Sequence, residues 1–154
     1  MRNKIAPTVT QPDELQQFST FYLAEALCGI DIGLIHEITK DFRITKVPLA
    51  PDHVVGIMNL RGQIVTVINQ SRKIGFTPTP LDGTSSIIIV ASKGGEQVGL
   101  LVDQIKDVIA VPKRQIAPSP SNVKGAQGKF FAGVVRIEDQ ELMAVLNVDA
   151  VLAP

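Results

Sequence analysis

One sequence pattern recurs twice along this chain and constrains its fold more than any other feature. Gly29-Ile30-Asp31-Ile32, followed by Ile35-His36-Glu37-Ile38, matches Gly99-Leu100-Leu101-Val102, followed by Ile105-Lys106-Asp107-Val108. The offset is 70 residues throughout, from Gly29 to Gly99 and from Ile38 to Val108. Ala50-Pro51 recurs as Ala117-Pro118. Gly56-Ile57 with Leu60 recurs as Gly133-Val134 with Ile137, and Val67-Ile68-Asn69 recurs as Val145-Leu146-Asn147. Four blocks matched in the same order describe a duplication. A repeat too small to bury its own apolar face must stack on its copy, so the chain is expected to hold two like units sharing a core.

Each unit reads as short strands. Phe18–Leu23 is rich in aromatic and β-forming residues, and Ala26–Ile30 is expected to hairpin back onto it. Leu34–Ile38 follows. Gly56–Leu60 and Gln63–Ile68 flank Arg61-Gly62, where the glycine permits the positive φ of a tight hairpin. Ile68–Ile74 is polar enough for one or two helical turns. Thr77–Gly83, with two prolines and Asp-Gly, is loop. The second unit brings strands at Ser86–Ala91, Gln97–Val102, Gln104–Val111, Phe131–Ile137 and Leu142–Leu146, then a short helix over Asp149–Leu152. The expected fold class is all-β, two small barrels in tandem, with residues 1–15 as a mobile tail and one domain over 16–152.

Composition removes several functions. The 154 residues carry 15 Lys+Arg against 15 Asp+Glu, and only 5% are aromatic. A nucleic-acid binder needs a basic footprint and stacking rings, so a small-barrel ligand or nucleic-acid module is the weaker alternative. One cysteine makes no intrachain disulfide, and two histidines leave little for a nitrogen/sulfur metal site. The longest apolar run, Ile87–Ala91, is far short of the ~20 residues of a bilayer span. With a polar start and no signal-like stretch, the expected location is the cytoplasm. Without secretion, the Asn69-Gln70-Ser71 sequon is coincidence.

No catalytic constellation is present. Cys28 reads as a small buried hydrophobe. His36 and His53 are lone histidines without an orienting partner. Asp103/Asp107 and Glu138/Asp139/Glu141 read as solvated strand ends. No catalytic residue, metal ligand or cofactor is assigned. Candidate function lies where the two copies differ. The connection from Pro51 to Gly56 is ten residues shorter than that from Pro118 to Gly133. Copy one also places Glu37 and Arg61 where copy two has Asp107 and Glu138. An arginine at a hairpin tip, oriented by a carboxylate on a neighbouring strand, is either an exposed ion pair of small worth or a pre-organised anchor for a protein partner. The seam between two barrels also makes a groove suited to an amphipathic helix.

Several of these segments carry a family resemblance. Gly29-Ile30-Asp31-Ile32, Ile35 with Glu37-Ile38, Val55-Gly56-Ile57-Met58-Asn59-Leu60-Arg61-Gly62 and Val67-Ile68-Asn69 are similar to the signature run of the CheW family of chemotaxis coupling proteins. Val98–Asp103, Val108, Ile116-Ala117-Pro118 and Gly133–Leu152 resemble its second half, and the likeness covers about residues 16 to 152. It implies two intertwined five-stranded Src-homology-3-like β-barrels, about 16–76 and 84–152. It also implies a non-catalytic adaptor between the helical-hairpin tip of chemoreceptors and the regulatory domain of the histidine kinase CheA, with barrel-to-barrel contacts forming rings. No nucleic acid and no direct membrane insertion are implied. By residue match, the receptor-facing positions are Ile35, Glu37, Gly56, Asn59, Arg61, Gly62 and Val108. Kinase contacts are placed on exposed members of Ile87–Val90, namely Ile87 and Ile89. The chain departs from the family at Asn69, where an aspartate is common; both residues cap helices well.

Overall fold

Ten strands and two short helices make up the computed structural model, which describes residues 14–76, 83–118, 125–138 and 141–153. The first repeat supplies β1 (Leu15–Leu23), β2 (Ala26–Asp31), β3 (Ile35–Thr39), β4 (Val54–Leu60), β5 (Gln63–Asn69) and α1 (Gln70–Ile74). The second supplies β6 (Ser86–Ala91), β7 (Gln97–Val102), β8 (Gln104–Pro112), β9 (Phe131–Arg136), β10 (Leu142–Leu146) and α2 (Val148–Leu152). Nearly every segment expected as a strand is one. The two helices begin alike: the Asn69 and Asn147 side chains accept from the backbone N–H of Arg72 and Ala150, at 3.1 and 3.2 Å. Asparagine at this position satisfies an otherwise orphaned donor. Asn147→Ala is expected to cost about 1 kcal/mol, read as a lower urea midpoint.

The repeats do not each form a barrel. The strands order as β8-β1-β2-β10-β9 in one five-stranded sheet and β3-β6-β7-β5-β4 in the other. Each repeat gives its first two strands to one sheet and its last three to the other. Exchanging the repeats maps one strand order onto the other. β2 and β7, the second strands of their repeats, stand at the centres, where β2 pairs β10 in parallel and β7 pairs β5 in parallel. Intertwining is therefore a reciprocal exchange of hairpins.

The two central strands, β2 and β7, are buried on both faces, and the molecule holds three cores. Phe18, Leu27, Val111, Val135, Met143 and Val145 fill the inside of the β8–β9 sheet, and Met58, Val65, Val67, Ile87, Ile89 and Leu101 fill the inside of the β3–β4 sheet. Between them lies the largest cluster, where Phe21, Ile30, Ile88, Val90, Leu100 and Val102 pack with Val148 and Val151 of α2. Gly29 and Gly99 stand at matched points. A Cβ on either would lie 2.6 Å from Met143 Sδ or 2.8 Å from Ile87 Cγ2, so both central strands use the missing side chain to let the sheet close over its core.

This packing overturns one expectation. Ile87 and Ile89 are fully buried and offer nothing to a kinase. Side chains alternate across a strand, so Ile87 and Ile89 fill one core while Ile88 and Val90 fill another. Ile89→Ala is expected to destabilise the fold by about 2–5 kcal/mol. Chemical denaturation checks this, and a binding loss at unchanged stability would contradict it.

Each hydrogen-bond ladder leaves its barrel open between the edge strands. One end of each opening is tied by a returning segment: Thr45 bridges Ile57 of β4, and Ala117 bridges Val134 of β9. The structural counterpart of Ala117 is thus Thr45, not Ala50, and the matched Ala-Pro pairs are a sequence coincidence. Counted from these bridges to Gly56 and Gly133, the second connection is five residues longer, not ten. Its residues 119–124 lie outside those described, as do 77–82 of the proline-containing loop and the 1–13 portion of the tail.

Candidate protein-interaction site

The β4–β5 hairpin carries the site. Arg61 and Gly62 both take positive φ, 51° and 86°, which is the geometry of a two-residue type I′ turn. Gly62 fits without cost, whereas Arg61 holds a conformation that residues with a Cβ resist. The turn is pinned by Asn59, whose Oδ1 accepts from the Gly62 N–H at 2.9 Å. A strained residue held by its surroundings marks a place to look for function.

Arg61 reaches across the open side of the sheet. β4 and β3 are its two edge strands. Glu37 stands on β3, opposite Ile89 of β6. Arg61 Nη1 and Nη2 donate to Glu37 Oε1 and Oε2 at 2.5 and 3.0 Å, a two-toothed fork that ties the edges together. The hydrogen bond and charge of Glu37 hold the guanidinium above its ordinary pKa, so it stays cationic. The arginine side chain is 74% exposed and the glutamate 25%: the acid is set into the surface and the base is displayed on it. An exposed pair contributes little to folding. Its value is a fixed direction for a charged planar group, a favoured anchor in protein interfaces.

The structure brings Glu37, Asn59, Arg61 and Gly62 into this one cluster. The other expected positions have different surroundings. Ile35 is half-buried and packs against the shared core. Gly56 is buried and its role is steric: an added Cβ would stand 2.3 Å from the Thr45 carbonyl oxygen. Val108 lies on β8 in the other sheet, 57% exposed, at the point matching Ile38. Three exposed apolar residues were not singled out by sequence. Ile38 adjoins Glu37, Ile64 lies on β5 at 66% exposure, and Leu49 is fully exposed with φ of 65°. Alternation along β3 and β5 carried a signal for the first two.

The remaining candidates are structural. Burial pushes the Cys28 thiol up to about 12, with Asp103 adding to the effect, so it stays protonated and unreactive. His36 Nδ1 lies 3.3 Å from Gln97 Nε2 at the surface, and burial holds His53 below its usual pKa. Among the described residues, no group of three or more His, Cys, Asp or Glu is placed to hold a metal, and no helix is long and apolar enough to cross a membrane.

Two like sheets around a common core, displaying a rigid polar fork, define a protein-binding scaffold of paired Src-homology-3-like units. Comparison with known proteins identifies which one. The CheW-like domain family matches residues 17–153. The chemotaxis protein CheW of Treponema pallidum is 32% identical over 139 residues, covering 88% of this chain and 81% of that protein. CheW of Thermotoga maritima is 30% identical over 145 residues, covering 93% of each. The crystal structure of the scaffolding protein TtCheW from Thermoanaerobacter tengcongensis superposes with a TM-score of 0.83 at 33% identity, covering 92% of this chain and 94% of that one. The chain belongs to the CheW family, and its role is that of a non-catalytic chemotaxis adaptor.

Proposed function

We propose that this chain couples the cytoplasmic tip of chemoreceptors to the histidine kinase CheA, working in the cytoplasm at membrane-bound receptor arrays. The observation that carries this reading is the Glu37–Arg61 fork, displayed on a strained hairpin in a member of the CheW family. A receptor tip is a helical hairpin, and a helix lies against a surface by alternating apolar and polar contacts. Arg61 supplies a polar contact, while Ile38, which faces the opposite side of β3 from Glu37, and Val108 at the matching point of β8 supply apolar ones. The kinase then engages surface other than Ile87 and Ile89.

Reconstitution with a receptor cytoplasmic fragment and CheA tests the reading. Kinase activity is expected to become receptor-dependent only when this chain is added. Receptor-independent activity in its presence would refute the coupling role.

A further inference from the structure

The two sheets are built alike, and their chemistry parts at one place, the open end between the edge strands. In the β3–β4 sheet, the Thr45–Ile57 bridge ties one end and the Glu37–Arg61 fork ties the other. In the β8–β9 sheet, the Ala117–Val134 bridge ties the first end. At the second end the counterparts are Asp107 and Glu138. Both are exposed, and neither forms an ion pair with a described residue. What remains is a cleft of about 590 Å³, lined by Leu27, Ile109 and Ile137 together with these two acids, a third acid, Glu141, and the cations Lys106 and Arg136. One wall is the nine-residue strand β8, whose ladder among the described residues reaches β1 alone. Its outer edge carries unpaired backbone donors and acceptors, a template for another strand.

We propose that this cleft docks an extended segment of a protein partner, which adds as a strand to β8 and carries an arginine into the Asp107–Glu138 end. The unpaired edge selects the backbone: only another extended chain matches a row of N–H and C=O groups. The two carboxylates select the side chain, because a guanidinium engages carboxylates through parallel donors. The partner's arginine does between molecules what Arg61 does within this one. Neither cation of the lining fills that role: the Lys106 ammonium lies over the Tyr22 ring, 5.8 Å from the centroid, and Arg136 forms no ion pair with a described residue. The cleft is separate from the fork that carries the coupling role but shares β8 with the receptor-facing Val108, so the test reads peptide binding alone, without receptor or kinase.

The test titrates the full-length, isotope-labelled protein with a nine-residue peptide of alternating threonine and valine bearing one central arginine. A second peptide carries citrulline in its place. Amide shifts and slowed hydrogen exchange are expected along Gln104–Ala110, and binding is expected to be at least about ten-fold weaker for the citrulline peptide. Glu138→Arg should abolish binding, because its own guanidinium would face Asp107 and close the end as Arg61 does opposite Glu37. Asp107→Asn with Glu138→Gln, which adds no bulk, should give the same loss. An amide spectrum otherwise like the parent's shows that the variants are folded. No response of β8 to the arginine peptide, equal affinity for both peptides, or undiminished binding by the folded variants would overturn the proposal.

Discussion

Arg61→Glu is expected to abolish co-sedimentation with receptor–kinase assemblies while the protein stays folded. The substitution sets two carboxylates where a fork now stands, so it removes the displayed cation and turns its partner into a repelling neighbour. Loss of a central arginine anchor weakens protein interfaces by about 30-fold or more when the contact is a hot spot. The thermal midpoint should hardly move, because the guanidinium is largely exposed and exposed pairs contribute little to folding. A second variant separates the fork from the hairpin. Arg61→Asn keeps a residue that tolerates a φ of 51°, so the turn persists and only the fork is lost. It should bind as poorly as Arg61→Glu. The double reversal, Glu37→Arg with Arg61→Glu, restores attraction across the sheet but displays the acid instead of the base. A double variant as stable as the parent that still fails to assemble would show that the direction of charge, and not mere pairing, is what a partner reads. Assembly that survives Arg61→Glu would remove the anchor role altogether.

Gly56→Ala should cause the largest loss of stability of any glycine substitution in the β4–β5 hairpin. The added Cβ would lie 2.3 Å from the Thr45 carbonyl oxygen and 2.7 Å from Ile44 Cγ2. The carbonyl is backbone and belongs to the segment that ties β4 at one end of the open sheet, so relief requires breaking the Thr45–Ile57 bridge. Overpacking of this kind costs about 1–3 kcal/mol, and the lost bridge adds to it. Gly133→Ala meets the matching Ala117 carbonyl at 2.5 Å and should behave alike. Gly62→Ala is the control. Nothing lies within 4 Å of its Cβ, and its cost comes only from a φ of 86°, about 1 kcal/mol. Urea titrations of the three rank the mechanism. If Gly56→Ala unfolds no earlier than Gly62→Ala, the steric account is wrong. It follows that a binding defect at Gly56 would report a displaced Thr45 segment and not a lost contact.

How much was legible beforehand depended on whether a signal was local. The Arg61-Gly62 turn, the asparagine caps and most strand limits are set by neighbouring residues, and each stood in the sequence. The repeat was visible too, as was the fork, once Glu37 and Arg61 were matched against Asp107 and Glu138. Partner choice was not. A strand's composition states that it pairs, but the exchange of hairpins between repeats is decided by contacts far along the chain. Ile87–Val90 shows a second limit. An unbroken apolar run fits a strand buried on both faces, and period-two reading then has no polar residue with which to tell inside from outside. Gly56 shows a third. Its neighbour across space, Thr45, lies in a stretch without strand patterning, and the Ala-Pro pairs nearby offered a false match.

The exchanged hairpins have a consequence for how such a chain could arise and diverge. One repeat alone holds parts of two sheets and completes neither, so it could stand only with a second copy supplying the complementary strands. The present molecule is that pair of copies written into one polypeptide. Two separate identical copies would be bound to carry the same residue at both hairpin tips. Joined in one chain, the tips are free to differ, and they do: a cation pairs with Glu37 at one, and at the other an acid, Glu138, lines the same cleft as Asp107. An adaptor that must distinguish one neighbour from another gains two unlike ends from a single ancestral design.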